Sequence, residues 1–208
     1  MSPRALAMLL TTAICFSLAP RPTLAQDRAQ LGVQADALLR SASAESLDGL
    51  FQSVHGLMKS PTDSLQVCRA LASDARGSAD TWLTLAQGLS DANRDALTGA
   101  LADVALSGWQ GRPMPFDEAA ARRQLTQAGV RAAMLNDGFS ASALGNPTAP
   151  DADTDATDME AQRCRSLGWL LDAVASQPRD ERAAITRLLL RDGIASTLKS
   201  SASAAPGG

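Results

Sequence analysis

SPTDSLQVC, residues 60–68, contains the two features that decide the fold of this chain. Ser60 is a residue type favoured at a helix N-cap, Pro61 suits the first helical position, and Asp63 suits the positive end of a helix. Cys68 lies further along the apolar side of the helix that these residues begin. The stretch therefore predicts a helix that carries a cysteine available for cross-linking.

The rest of the chain repeats this pattern of helix starts, apolar stripes and stops. Apolar residues spaced three and four apart predict helices over about 27–42, 47–58, 61–76, 79–89, from Asp91 onwards, 117–135, 158–176 and 180–199. No stretch alternates with period two, and β-branched and aromatic residues are sparse. We predict an all-α single domain of seven to eight helices, arranged as a helical bundle or as two stacked helical halves.

Several positions in these helices are assigned from the same pattern. Ser60 and Asp117 are expected to cap their helices, and Asp91 is expected to cap the fifth helix. Leu65 and Leu101 fall on the predicted apolar stripes, so we expect both side chains to face the core.

A faint internal similarity underlies the arrangement in two halves. Residues 66–71 (QVCRAL) resemble residues 162–167 (QRCRSL), and a tryptophan and an R-x-x-[LI]-T-x-x-L segment follow each of them. An old duplication of a helical unit would produce this similarity. Chance likeness between helices rich in alanine and leucine would also produce it, and the spacing is too irregular for a solenoid.

The N-terminal residues have the form of a secretory signal peptide. Arg4 supplies a positive charge, and residues 5–19 form an uncharged apolar run. Thr23 and Ala25 are the small residues that signal peptidase requires at the −3 and −1 positions of its cleavage site. We predict that residues 1–25 are cleaved and that the all-α domain covers 26–199, in a periplasmic or secreted protein. The alternative is that the segment is retained as an anchor.

Cleavage would change the charge of the chain. Removal of Arg4 and Arg21 changes the net charge from −3 to −5, because the segment contains no acidic residue. A mildly acidic chain argues against nucleic acid or an anionic membrane surface as a partner. We expect no stable membrane insertion once the signal peptide is gone.

The cysteines point to the same compartment. Without Cys15 two cysteines remain, Cys68 and Cys164, and an even pair in an exported protein indicates a disulfide. The bond would close a long loop, which is worth up to ~4.7 kcal/mol in the chain-entropy model. The alternative is two buried free thiols.

Two stretches lack helical periodicity. Residues 139–157 predict a flexible linker, and residues 200–208 predict a disordered tail. Residues 151–162 begin with the aspartate spacing of a calcium loop, but they lack the glycine at its sixth position and the glutamate at its twelfth. Residues 157–160 (TDME) match a capping box instead, which predicts a solvated linker that leads into a helix.

Residue types needed for most catalytic and metal sites are scarce. His55 is the only histidine, which excludes zinc sites that need two. We expect His55 to be a partly exposed helical residue, with a general base as the alternative. No glycine-rich phosphate loop or nucleophile elbow is present. We therefore assign no catalytic, cofactor or metal residues and predict that the chain is not an enzyme.

One segment between the fifth and sixth helices has the composition of a binding surface. Trp109, Arg112, Met114 and Phe116 lie within eight residues, and two prolines stiffen the segment. These residue types are enriched at the centres of protein interfaces. The alternative is that Trp109 and Phe116 seal the end of the bundle.

These features favour binding over catalysis. We expect an exported protein-binding module, most concretely an inhibitor or immunity protein that neutralises a bacterial toxin directed at the cell envelope. Its partner would then be a toxin or effector encoded by a neighbouring gene. A helical carrier of a small molecule or lipid, which needs an apolar cavity, is the first alternative. A hydrolase with a carboxylate pair is the second.

Overall fold

A computed structural model describes residues 24–72, 79–141 and 156–203 of the chain. Within these ranges the structure consists of eight helices and no strands, so the predicted all-α class is confirmed. The helices are α1 (Leu24–Ser41), α2 (Ala44–Leu57), α3 (Pro61–Ala72), α4 (Ala79–Gly88), α5 (Asp91–Gln110), α6 (Glu118–Leu135), α7 (Ala156–Ala175) and α8 (Arg179–Ser203).

Helices α2 and α8 form the centre of the bundle. They pack along each other, α1 and α5 pack on this pair, and so do α6 and α7. The predicted stripe of α2 is confirmed, since its buried residues are Leu47, Leu50, Phe51 and Leu57. Five residues of the 183–188 segment of α8 are buried although they lie on different sides of the helix: Ala183, Ile185, Thr186, Arg187 and Leu188. A helical segment enclosed in this way fixes the positions of the helices around it.

A disulfide between Cys68 and Cys164 joins α3 to α7, as predicted. The two residues are 96 positions apart, with 5.4 Å between their Cα atoms. Cys68 is buried in the contact between the two helices. The bond therefore ties the second half of the chain to the first half.

Most predicted helix starts are confirmed by their capping bonds. The Ser60 hydroxyl accepts a hydrogen bond from the backbone N–H of Asp63 at 3.3 Å. The Asp117 carboxylate accepts one from the N–H of Ala120 at 2.8 Å. The assignment of Asp91 as a cap is wrong, because Ser90 holds the cap position and Asp91 is the first helical residue.

Asp63 is a buried carboxylate that joins the start of α3 to the start of α5. It accepts hydrogen bonds from the Ser90 backbone N–H at 3.0 Å, from the Ser90 hydroxyl at 2.8 Å, and from the Asn93 amide. The bond from Asn93, followed by those from Ser90, lowers the pKa of Asp63 from 3.8 to about 2. The ionised form is therefore the one that the fold stabilises.

Arg182 makes a second polar link through the core, from α8 to α2 and α7. Its Nε donates to Asp48 Oδ1 at 2.6 Å, and a second nitrogen donates to Oδ2 at 3.0 Å. Its remaining terminal nitrogen donates to the Gln177 carbonyl at 2.6 Å, just past the end of α7. The hydrogen bond that it donates to Asp48 raises the pKa of Arg182, so the guanidinium stays charged.

Two predicted core positions are wrong. Leu65 is half exposed, because Val67, Cys68 and Ala70 form the buried face of α3 instead. Leu101 is also half exposed, because the side of α5 that faces α1 and α2 is centred on Val104. In both helices apolar residues lie on more than one face, so spacing alone did not identify the buried one.

The predicted signal peptide and linker lie largely outside the described residues, at 1–23 and 142–155. At the edges of the linker, Phe139 packs against the core and α7 begins at Ala156. The assignment of Thr157 as a cap is wrong, because Thr157 is the second residue of α7; its side chain is not among the described ones. Helix α8 continues to Ser203, four residues beyond its predicted end.

Acidification should remove the contribution of Asp63 to stability. The folded pKa lies below the ordinary value of 3.8, so this contribution is complete above that value and is lost as pH falls toward about 2. Asp63→Asn should lower the melting temperature near neutral pH, and the gap to wild type should narrow as pH falls through this window. Thermal unfolding followed by circular dichroism at several pH values measures this difference in melting temperature. Asp103→Asn, at an exposed position of α5, is the control. A gap that does not change with pH would contradict this role.

Loss of the disulfide should weaken the fold without changing its helix content. The double variant Cys68→Ala/Cys164→Ala releases the long loop in the unfolded chain, which should cost up to ~4–5 kcal/mol of unfolding free energy. Urea unfolding of this variant against the oxidised wild type measures the difference. A loss under ~1 kcal/mol would show that the cross-link adds little to the packing of α3 on α7.

Candidate functional site

Helix α5 has both an inner and an outer apolar face. Its inner face packs Leu97, Ala100 and Val104 against α1 and α2. Its outer face presents five exposed apolar residues in one stripe, Leu101, Ala102, Ala105, Leu106 and Trp109. We call these five residues the α5 outer face. An exposed helix with apolar residues on both sides has more apolar surface than its own core requires.

Trp109 is the most exposed large apolar residue of the α5 outer face, with 83% of its surface accessible. It lies in the last turn of α5, so it projects from a helix and not from a loop. A tryptophan on a regular helix has few conformations to lose when it is buried by a partner. This is the residue type most often found at the centres of interfaces.

Close backbone packing fixes the direction of Trp109. A Cβ atom on Gly108 would lie 2.5 Å from the Leu38 carbonyl oxygen, and one on Gly111 would lie 2.2 Å from that of Ser41. Both glycines therefore allow the end of α5 to touch the backbone of α1. The Ser107 hydroxyl adds a 2.6 Å hydrogen bond to the Ser46 hydroxyl. With this side held against α1 and α2, the opposite side of the last turn faces outward.

Residues 111–117 connect α5 to α6 across the end of α1. The Met114 backbone N–H donates to the Arg40 carbonyl at 3.1 Å, while the Met114 side chain stays exposed. The Phe116 ring is half buried and contacts two guanidinium groups, with Arg187 5.6 Å and Arg191 5.5 Å from its centre. The connection thus closes the end of the bundle through its last aromatic residue.

Arg187 explains why an aromatic ring is needed there. It is only 6% exposed, and it donates a hydrogen bond to the Ala42 carbonyl at 2.6 Å, just past the C-terminal end of α1. Burial, and then the nearby charge of Arg191, lower the pKa of Arg187. The negative end of the α1 dipole and the face of the Phe116 ring offset this cost.

The four predicted partner-binding residues therefore divide into two groups. Trp109, Arg112 and Met114 are exposed at the end of α5, as a binding surface requires. Phe116 instead has the sealing position that was the alternative reading, with its ring against Arg187.

Sequence reasoning did not place the other four residues of the α5 outer face, Leu101, Ala102, Ala105 and Leu106, on a binding surface, and it assigned Leu101 to the core. Their signal was present in the sequence, since residues 100–106 are apolar at every position except Asp103. A short run of this kind does not show by itself which of two apolar faces is buried.

His55 forms a polar contact between α2 and α7. Its Nε2 lies 2.7 Å from Asp172 Oδ1, and Lys59 binds the same carboxylate oxygen. Burial raises the pKa of Asp172, but the hydrogen bonds and charges of His55 and Lys59 outweigh it, so the net pKa is lowered. An ionised carboxylate that joins two helices in this way is a typical packing contact, and it leaves His55 half buried, close to the predicted environment.

The carboxyl groups with a clearly shifted pKa share one direction. Asp63, Glu118 and Asp172 all have a lowered pKa, and for Glu118 the main cause is its hydrogen bond from Arg122. A general acid in a hydrolase needs a raised pKa. In the described ranges no group of three or more His, Cys, Asp or Glu residues is placed to hold a metal ion. The aspartates of residues 151–155 lie outside those ranges.

Comparison of the chain with protein-family models, with curated proteins and with solved structures finds no match. Among the described helices, none is both long enough and apolar enough to span a membrane.

Substitutions should separate the sealing residue from the exposed ones. Phe116→Ala removes a half-buried ring and its contacts with Arg187 and Arg191, and should cost about 2 kcal/mol of unfolding free energy. Trp109→Ala should change it by less than about 0.5 kcal/mol, because the side chain has little to pack against. Urea unfolding of both variants tests this, and equal losses would contradict the assignment.

Proposed function

We propose that this chain is an exported protein-binding module that binds its partner through the α5 outer face together with Arg112 and Met114. In its most concrete form it is an inhibitor or immunity protein that neutralises a bacterial toxin directed at the cell envelope. The observation that carries the proposal is Trp109, held on a rigid helix with most of its surface exposed.

The energetics of this surface support protein binding. A buried tryptophan removes about 150–250 Å² from water, which at roughly 25 cal/mol per Å² amounts to several kcal/mol. Leu106, one turn before it on the same face, would exclude water from its contact with a partner, and Leu101 extends the apolar stripe further along the helix. Because the glycine contacts with α1 already fix the helix, little ordering cost opposes binding.

The predicted compartment supports the inhibitor form of the proposal. The N-terminal sequence has the pattern of a signal peptide, and a disulfide is the covalent feature expected of a protein that works outside the cytoplasm. An acidic chain that has an exposed apolar stripe on α5 and carboxylates held ionised fits binding better than acid catalysis.

A neutralisation assay tests the function directly. The products of the genes adjacent to this one are exported singly to the periplasm of a test bacterium, with or without this chain. We expect one of them to arrest growth and co-export of this chain to restore it. If no adjacent product is toxic, or if this chain protects against none of them, the immunity form of the proposal is wrong.

The same assay locates the binding surface. Trp109→Ala should weaken binding of the neutralised protein by at least about 30-fold, which corresponds to the ~2 kcal/mol of an interface hot spot, and protection should fall with it. Val130→Ala on α6 is the control, since Val130 is also exposed but lies outside the α5 outer face. Calorimetry with the purified pair gives the affinities. Equal affinities of the two variants would place the binding surface elsewhere.

A further inference from the structure

The exposed side of α5 is symmetric about the point between residues 103 and 104. Within α5, residues at equal distances from this point match or complement each other: Ala102 with Ala105, Leu101 with Leu106, and Thr98 with Trp109. The same spacing along the sequence relates Asp95 to Arg112, two residues past the end of the helix. All eight are exposed. Such a pattern suits a helix that packs against an antiparallel copy of itself. A two-fold axis through the central point places each residue beside the residue of the other copy that lies equally far from the axis on its opposite side.

The spacing along the helix is also that of a helix-pairing seam. Positions 98, 102, 105 and 109 are separated by four, three and four residues, which is the alternation of a two-helix contact. The alanines at the two central positions allow the two backbones to approach closely. Leu101 and Leu106 lie on the two edges of the seam and would cover it from solvent.

Size and charge both favour the antiparallel direction. An antiparallel pair places the large Trp109 at the level of the small Thr98 of the other copy, whereas a parallel pair places two tryptophans together. Arg112 lies two residues past the end of α5, so an antiparallel pair also brings Asp95 near the segment that carries Arg112 at each end, where a parallel pair sets like charges near each other.

We propose that a second copy of this chain occupies the α5 outer face, in a two-fold symmetric dimer built on antiparallel α5 helices. The inference rests on the proposed function in one respect, that this face is a protein-binding surface. Because both complexes bury Trp109, binding of the envelope toxin and self-association exclude each other. The free protein then protects its apolar surface until the partner displaces the second copy.

The interface is small. A helix of 20 residues is about 30 Å long, and one face of it buries less than the ~1,600 Å² of a standard protein interface. We therefore expect a dissociation constant in the micromolar range. A weak dimer of this kind is compatible with displacement by a tighter partner.

Sedimentation velocity of the purified, oxidised chain over a wide concentration range tests the proposal. Wild type should change from monomer to dimer as concentration rises through the micromolar range. Leu106→Glu should weaken the dimer at least about tenfold, since it places two charges in the seam edges. Val130→Glu is the matched control, because Val130 is 55% exposed and Leu106 is 56% exposed, and it should leave the dimer unchanged.

A charge exchange tests the antiparallel register. Asp95→Arg and Arg112→Asp each set like charges at both ends of the interface and should weaken the dimer about three- to tenfold at low salt. The double variant Asp95→Arg/Arg112→Asp restores opposite charges and should recover the wild-type constant to within about twofold. A double variant whose dimer is weakened by the sum of the two single effects would contradict the antiparallel register.

The outcomes separate this inference from the proposed function. Two results would contradict the proposal that a second copy covers the α5 outer face. One is a wild type that stays monomeric at all concentrations, and the other is a dimer that Leu106→Glu leaves intact. Protection from a toxin that depends on Trp109 would still stand in either case. A dimer with the predicted behaviour and no protective activity would instead support the inference and remove the immunity proposal.

Discussion

The structure depends on burying a charged side chain, Arg187, on helix α8. Residues 183–188 of α8 are largely buried, and Arg187 lies among them with the Ala42 carbonyl, just past the end of α1, as its hydrogen-bond partner. A guanidinium in such a place is costly unless its surroundings stabilise the charge. The C-terminal end of α1 and the ring of Phe116 supply that stabilisation, so α1 and the segment before α6 must both reach α8.

This requirement also shapes the proposed binding surface. To bring Phe116 over Arg187, the chain after α5 crosses the end of α1, and the glycine contacts at Gly108 and Gly111 bring the two helices together. These contacts bury the inner side of α5 against α1 and α2. Its opposite side carries Trp109 outward, and what remains exposed is an apolar stripe with no described helix packed on it. The same packing that buries one aromatic residue therefore exposes the other.

Much of the fold follows from local sequence, whereas the site follows from tertiary contacts. Capping residues such as Ser60 and Asp117 act within one turn, so the helices and their starts were predictable, and the cysteine pair gave the cross-link. The roles of Trp109 and Phe116 were not separable, because the position of α8 decides which ring finds a cation. Leu101 was misplaced for the same reason, since α5 has two apolar faces and only its neighbours choose between them.

The proposed partner and the proposed second copy both require protein to cover the α5 outer face. Hydroxyl-radical footprinting read by mass spectrometry can detect this, because it reports the accessibility of individual side chains. On raising the protein concentration, or on adding a neutralised partner, oxidation of Trp109 and Leu106 should fall, while exposed Met134 on α6 should react as before. If the oxidation of Trp109 changes no more than that of Met134 under any of these conditions, the α5 outer face remains open to water and is not covered by either proposed partner.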